Sequence, residues 1–79
     1  MTDQAKRLAG AADRLRAARR ERGLTQDGLA EASGVGVATI RRMEGAVSEP
    51  KIRTIAQLAG ALKVDMKWLA FGGHREEME

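Results

Sequence analysis

The side chains that enzymes commonly use for catalysis are scarce in this 79-residue chain. There is no cysteine, the single histidine is His74 near the C-terminus, and Ser33 and Ser48 have no base at a spacing that suggests a catalytic pair. No histidine and carboxylate cluster has metal-ligand spacing, and no glycine-rich loop follows a strand pattern. The sequence therefore predicts a protein that is not an enzyme, with no catalytic residue, no metal site and no cofactor.

Two adjacent arginines offer a different chemistry, because a guanidinium can form a bidentate hydrogen-bond pair with the edge of guanine. They lie in a stretch where, at about 100° per residue, Ile40 and Met43 fall on one side of a helix. The opposite side and its flanks carry Val37, Ala38, Arg41 and Arg42. Valine or alanine can pack on a thymine methyl group, so this face could read base edges. The alternative is a solvated basic face without a ligand.

The elements that would position this face follow from the spacing of small and apolar residues before it. Ala30 is small enough to lie where two helices cross closely, and Gly34, four residues later, tolerates the positive φ of a tight turn. Ile40 follows six residues after that and buries one face of the second helix. Leu29, Val35 and Met43 fill the remaining apolar positions. This spacing is typical of a helix-turn-helix, and a generic helical hairpin is the alternative.

The sequence predicts an all-α, compact five-helix domain, because apolar residues recur at helical spacing and alternating strand patterns are absent. The predicted helices cover 3–22, 26–33, 37–44, a stretch with Pro50 in its first turn that runs to Leu62, and roughly 66–71. One domain should span 1–73, with helix 1 extended toward residue 3. We expect the polar tail 74–79 to be frayed.

The distribution of charge points to an acidic partner. The formal net charge is +3, and residues 1–24 alone carry +4. Their seven cations are Lys6, Arg7, Arg14, Arg16, Arg19, Arg20 and Arg22. Nucleic acid is the commonest partner of such a domain, and non-specific coating of nucleic acid is one way to use a basic helix. No apolar run is long enough to span a bilayer and no signal peptide is evident, so we expect a cytoplasmic protein without membrane contact.

Residues 15–69 resemble the lambda-repressor/Cro-like (Xre-type) helix-turn-helix family. The residues that carry the resemblance are Leu15, Arg16, the run 19–26 with its Gly-Leu-Thr-Gln string, 29–31, Gly34, Val35, Thr39, Ile40, Glu44, Pro50, Ile52, Ile55, Leu58, Ala59, Leu62 and Val64. The resemblance implies a five-helix domain, usually a dimer, that inserts helix 3 into the major groove of double-stranded DNA.

The resemblance also implies site residues. The DNA-binding set would be Gln26, Val37, Ala38, Thr39, Arg41 and Arg42, and to these we add Lys51 and Arg53 as phosphate contacts. Lys51 and Arg53 would replace cations that the family often has in the loop after helix 3, because the segment 46–49 contains no cation and one anion. Val37 and Ala38 also replace the polar residues common at the start of helix 3.

Two further pairs complete the predicted site. Arg19 and Glu44 match positions that form a structural ion pair between helices 1 and 3 in related repressors, and the helical wheel turns Glu44 toward helix 1. Trp68 and Phe71 either complete the core or form the seam of a homodimer. For Arg19 and Glu44, the alternative is that the two side chains are solvated independently.

These observations favour a sequence-specific, DNA-binding transcription regulator, with repression as the default. It would bind a palindromic operator as a dimer, with half-sites about 34 Å apart. The alternative is a protein-interaction module on the same fold with weak DNA reading, which Val37, Ala38 and the cation-free loop support.

Overall fold

The computed structural model describes residues 3–73, apart from the side chain of Gln4. This part of the chain forms five helices: α1 (Asp3–Glu21), α2 (Gln26–Ser33), α3 (Val37–Glu44), α4 (Ile52–Leu62) and α5 (Met66–Phe71). The predicted all-α fold class is therefore confirmed. The predictions for His74 and the tail 74–79 lie outside the described residues.

Local signals explain where α2 and α3 begin and end. Thr25 precedes α2 with an extended backbone, and its Oγ1 accepts a hydrogen bond from the Gly28 N–H at 2.9 Å. α2 ends at Gly34, whose φ of 78° is a left-handed conformation that a Cβ disfavours. Gly36 then precedes α3 without a side-chain cap. Because these signals act within a few residues, both helices have the bounds that the sequence predicts.

α1 ends one residue earlier than predicted. We expected Arg22 to be its last residue, but the backbone turns before it. The N–H of Gly23, which has a φ of 69°, bonds to the carbonyl of Arg20 at 2.9 Å. Because of this turn, Arg22 is not part of the regular helix. A difference of one residue is common at helix ends.

The start of α4 also differs, and here the prediction was wrong. We expected Pro50 within the first turn, but Lys51 has an extended backbone with ψ of 150° and acts as the N-cap. The first helical bond runs from the Ile55 N–H to the Lys51 carbonyl at 3.0 Å. Pro50 therefore lies in the loop before the cap, where its lack of an N–H costs no helical bond.

The core positions α3 between two other helices. α1 packs against α3 and α5, α2 packs against α3 and α4, and α4 packs against α5. The largest fully buried side chains are Leu15, Leu29, Ile40, Leu58, Leu62, Val64 and Leu69. Each helix contributes at least one of them, so burial of their apolar surface fixes all five helices around one centre.

Candidate nucleic-acid interface

α3 has one buried and one exposed face. Ile40, Met43 and Glu44 are buried. The remaining residues divide into the half-buried Val37 and Thr39 and the exposed Ala38, Arg41 and Arg42. The face that carries both arginines is thus available to a ligand, in the arrangement that the helical wheel predicts.

Arg42 is partly ordered by its own helix. Its Nη2 donates a hydrogen bond to the Oγ1 of Thr39 at 3.3 Å, one turn earlier. Because both side chains lie at the surface, the bond limits the directions of the guanidinium without burying it. The Thr39 hydroxyl thus orients Arg42 on the exposed face.

A concave pocket of about 320 Å³ adjoins this face, and we call it the α3–α4 pocket. It is lined by Thr39, Arg42, Met43, Ser48, Glu49, Pro50, Lys51 and Thr54. Lys51 and Arg53 are exposed at the start of α4. The cations that line the pocket are those of Arg42 and Lys51, and its only carboxylate is that of Glu49. Hydroxyl groups come from Thr39, Ser48 and Thr54.

A nearly buried ion pair fixes the C-terminal end of α3. The Nε and Nη2 atoms of Arg19 donate to the two carboxylate oxygens of Glu44 at 2.7 and 3.1 Å. The two side chains are only 11% and 5% exposed. The hydrogen bonds to Glu44 raise the pKa of Arg19, against the opposing effect of its burial. This bidentate geometry links α1 directly to the exposed helix.

Two further side chains bind the same glutamate. Gln26 Nε2 donates to Glu44 Oε1 at 3.2 Å, and Arg16 Nη1 donates to the backbone carbonyl of Glu44 at 2.9 Å. A cation at a helix C-terminus complements the helix dipole. Gln26, predicted as a DNA contact, therefore also has a structural partner. The role of Arg16 was missed, although its place one turn before Arg19 on α1 could have suggested it.

Most of the cations in the first 24 residues make similar internal bonds. Arg14 donates to the carbonyls of Leu69 and Ala70 at 3.1 and 3.0 Å, and Arg22 donates to the Leu62 carbonyl at 3.0 Å. Burial lowers the pKa of Arg14, an effect that the nearby Asp13 partly offsets. Arginines of this segment thus bond to backbone carbonyls at the C-terminal ends of α3, α4 and α5.

The predicted interface residues Trp68 and Phe71 differ in burial. Trp68 is half-buried and packs against the core, whereas Phe71 is 71% exposed. Phe71 borders an apolar groove of about 200 Å³, which we call the α1–α5 groove. Its other lining residues are Arg7, Leu8, Ala11, Glu49, Pro50, Ile52, Ile55 and Ala70.

Residues 3–73 contain neither a cluster of metal-ligating side chains nor a membrane-spanning helix. No group of three or more histidine, cysteine, aspartate or glutamate side chains in this range could hold a metal ion. None of the five helices is both long and apolar enough to cross a membrane.

The fold and the exposed basic helix define a helix-turn-helix domain of the Xre/lambda-repressor type. In agreement, the profile of the HTH_3 family, described as helix-turn-helix, matches residues 15–69. The chain therefore belongs to this family.

Two related proteins extend the comparison. The HTH-type transcriptional repressor RghR of Bacillus subtilis (strain 168) is 46% identical over 68 residues, which cover 84% of this chain and 50% of that protein. The crystal structure of an HTH_3 family transcriptional regulator from Vibrio cholerae superposes with a TM-score of 0.78 at 27% identity, covering 84% of this chain and 37% of that one. The chain thus spans about half the length of the curated relative it matches.

Proposed function

We propose that this domain is a sequence-specific, DNA-binding transcription regulator that places α3 in the major groove. The observation that carries the proposal is the combination of an exposed face with Arg41 and Arg42 and an opposite face held by the core and by the Arg19–Glu44 pair. A helix that reads DNA must present its side chains to the bases in a fixed orientation. Both requirements are met on the same eight-residue helix.

The contacts divide between bases and backbone. Arg42, nearest the outward pole of α3, would bond a guanine edge, while Val37, Ala38 and Thr39 would contact neighbouring bases. Arg41, Lys51 and Arg53 would bond phosphates. The Nε2 of Gln26 carries two hydrogens, so one stays available for a phosphate oxygen while the other bonds to Glu44.

We further propose that two copies bind a palindromic site, with half-sites about 34 Å apart. Phe71 and Ile52 are 71% and 73% exposed at the α1–α5 groove, so apolar side chains are available there for an interface. A two-fold dimer pairs the same surface on both copies, so each Phe71 would pack against the groove of its partner. Phe71 is a better interface residue than Trp68, which is already in contact with the core.

Repression is the regulatory outcome we propose, because the Bacillus subtilis relative is named a transcriptional repressor. A bound dimer would act by blocking polymerase, without enzyme activity. A protein-interaction module on the same fold is the second candidate. It is favoured by the small side chains of Val37 and Ala38 and by the anionic Glu49 beside the exposed helix.

Selection of binding sites from random double-stranded DNA tests the proposal. Enrichment of a palindromic motif with half-sites one helical turn apart is the expected result. Failure of the wild-type protein to enrich any motif would contradict it and favour the interaction module, whose partner could then be sought by co-purification.

A further inference from the structure

The carboxylate of Glu49 lies at the edge of the surface proposed to bind DNA, but its ion-pair partner comes from the far end of α1. Its Oε1 is 3.5 Å from Nη1 of Arg7, and the two side chains are 51% and 52% exposed. Glu49 also lines the α3–α4 pocket together with Arg42 and Lys51. The loop after the exposed helix is thus bound by a cation from the second turn of α1.

The choice of partner matters because Glu49 has other cations within the same pocket. Were Glu49 to pair with Arg42 or Lys51, that cation would have to leave the carboxylate before it could bond DNA. Such a competing pair lowers DNA affinity by the free energy of the pair itself. A carboxylate whose Oε1 is paired with Arg7 competes less in this way.

We infer that Arg7 is a positioning residue for DNA binding: by binding Glu49 it keeps Arg42 and Lys51 available to DNA. The inference rests on the proposed function, and it explains how an anionic loop is compatible with a DNA-binding face. Arg7 acts here through Glu49 and not through a contact of its own with DNA. The sequence gives no indication of this pair, since 42 positions separate the two residues.

A double-mutant cycle tests the inference. DNA affinity is measured for the wild type, Arg7→Ala, Glu49→Gln and the double variant, on one 20-base-pair duplex at low salt. Removing Arg7 should weaken binding about two- to fivefold more when Glu49 is present than in the Glu49→Gln background, the factor expected for one exposed ion pair. Arg7→Lys, which keeps the charge, should retain most of the wild-type affinity.

Lys6→Ala is the matched control, because Lys6 is an exposed cation of the same helix turn. It should lower affinity by the same factor with and without Glu49, as a distant charge does. Since Arg7 and Glu49 also line the α1–α5 groove, sedimentation of all variants accompanies the cycle. A coupling seen only where the oligomeric states of the variants differ would assign Arg7 to the dimer and overturn the inference.

Two further outcomes overturn the inference in distinguishable ways. If Arg7→Ala weakens binding by one factor in both backgrounds, or if Lys6→Ala shows the same coupling, Arg7 acts only through its charge or through direct contact with DNA. If the wild-type protein binds no duplex at low salt, the proposed function itself fails, and the role of Arg7 with it.

Discussion

At the scale of single residues, the arginines of α1 have a different role from the one that charge counting suggests. Arg14, Arg16 and Arg22 each donate to carbonyls in the last turn of another helix, between 28 and 56 positions further along the chain. Such acceptors become available only when the helices have packed, so no local pattern predicts them. The Arg19–Glu44 pairing could be inferred because both residues lie in the family motif and the helical wheel turns Glu44 inward.

Replacing Arg19 with methionine tests the importance of that pair. Glu44 is 5% exposed, so removing Arg19 leaves a buried carboxylate without its cation and should lower the free energy of unfolding by about 3 kcal/mol. DNA affinity should fall as well, because the C-terminal end of α3 loses its link to α1. Chemical denaturation and DNA titration measure the two effects.

Arg20→Met is the matched control, since Arg20 is the exposed neighbour of Arg19 on α1. Its effect on the free energy of unfolding should stay within about 0.5 kcal/mol. The double variant Arg19→Met/Glu44→Leu should regain most of the lost stability, because it removes the unpaired charge. Equal losses for Arg19→Met and Arg20→Met would mean that the ion pair is unimportant.

At the scale of helices and loops, the sequence predicts a helix boundary correctly where the residues that set it are close neighbours of that boundary. The bounds of α2 and α3 depend on Thr25, Gly34 and Gly36, which act on adjacent residues, and the predicted ranges are those observed. The start of α4 depends on how the loop before it packs, and there the prediction failed at Pro50. Sequence thus predicted the exposed helix better than the loop that follows it.

That loop also contains a strained residue. It begins with a glycine at position 45, but the positive φ falls on the next residue. Gly45 has an ordinary φ of −88°, whereas Ala46 takes the left-handed conformation with φ of 55°. A residue with a Cβ is destabilised there by about 1–2 kcal/mol.

Ala46→Gly should therefore stabilise the domain. Relief of the left-handed strain outweighs the added entropy of glycine in the unfolded chain, for a net gain of about 0.5–1 kcal/mol in the free energy of unfolding. Ala32→Gly, at an exposed position within α2, should instead destabilise by a similar amount. Thermal and denaturant unfolding distinguish the two, and a loss of stability in Ala46→Gly would refute the assignment of strain.

At the scale of the whole molecule, the proposed dimer depends on the α1–α5 groove. Phe71→Ser removes an exposed aromatic side chain beside it and should shift the protein toward monomer in sedimentation at micromolar concentration. Because Phe71 is 71% exposed, this change should affect the core little. Trp68→Ala is less informative, since Trp68 packs against the core and its loss would also destabilise the fold.

Val47→Ser is the matched control for the dimer. Val47 is 69% exposed, similar to Phe71, but it is not among the residues that line the groove. Its replacement should leave the oligomeric state unchanged. An unaltered dimer in Phe71→Ser would place the interface elsewhere, and a wild type that stays monomeric throughout would contradict the proposed dimer.

The central claim, that α3 reads DNA, is tested most directly by comparing Arg42→Ala with Arg41→Ala on operator and scrambled duplexes over a range of salt concentrations. Arg42→Ala should relax the preference at one base pair per half-site, at a cost of about 1–3 kcal/mol in discrimination. Arg41→Ala should weaken both duplexes alike and reduce the salt slope by about one. If Arg42→Ala weakens both duplexes equally, Arg42 does not read a base, and if neither variant changes affinity, α3 is not the DNA-reading element.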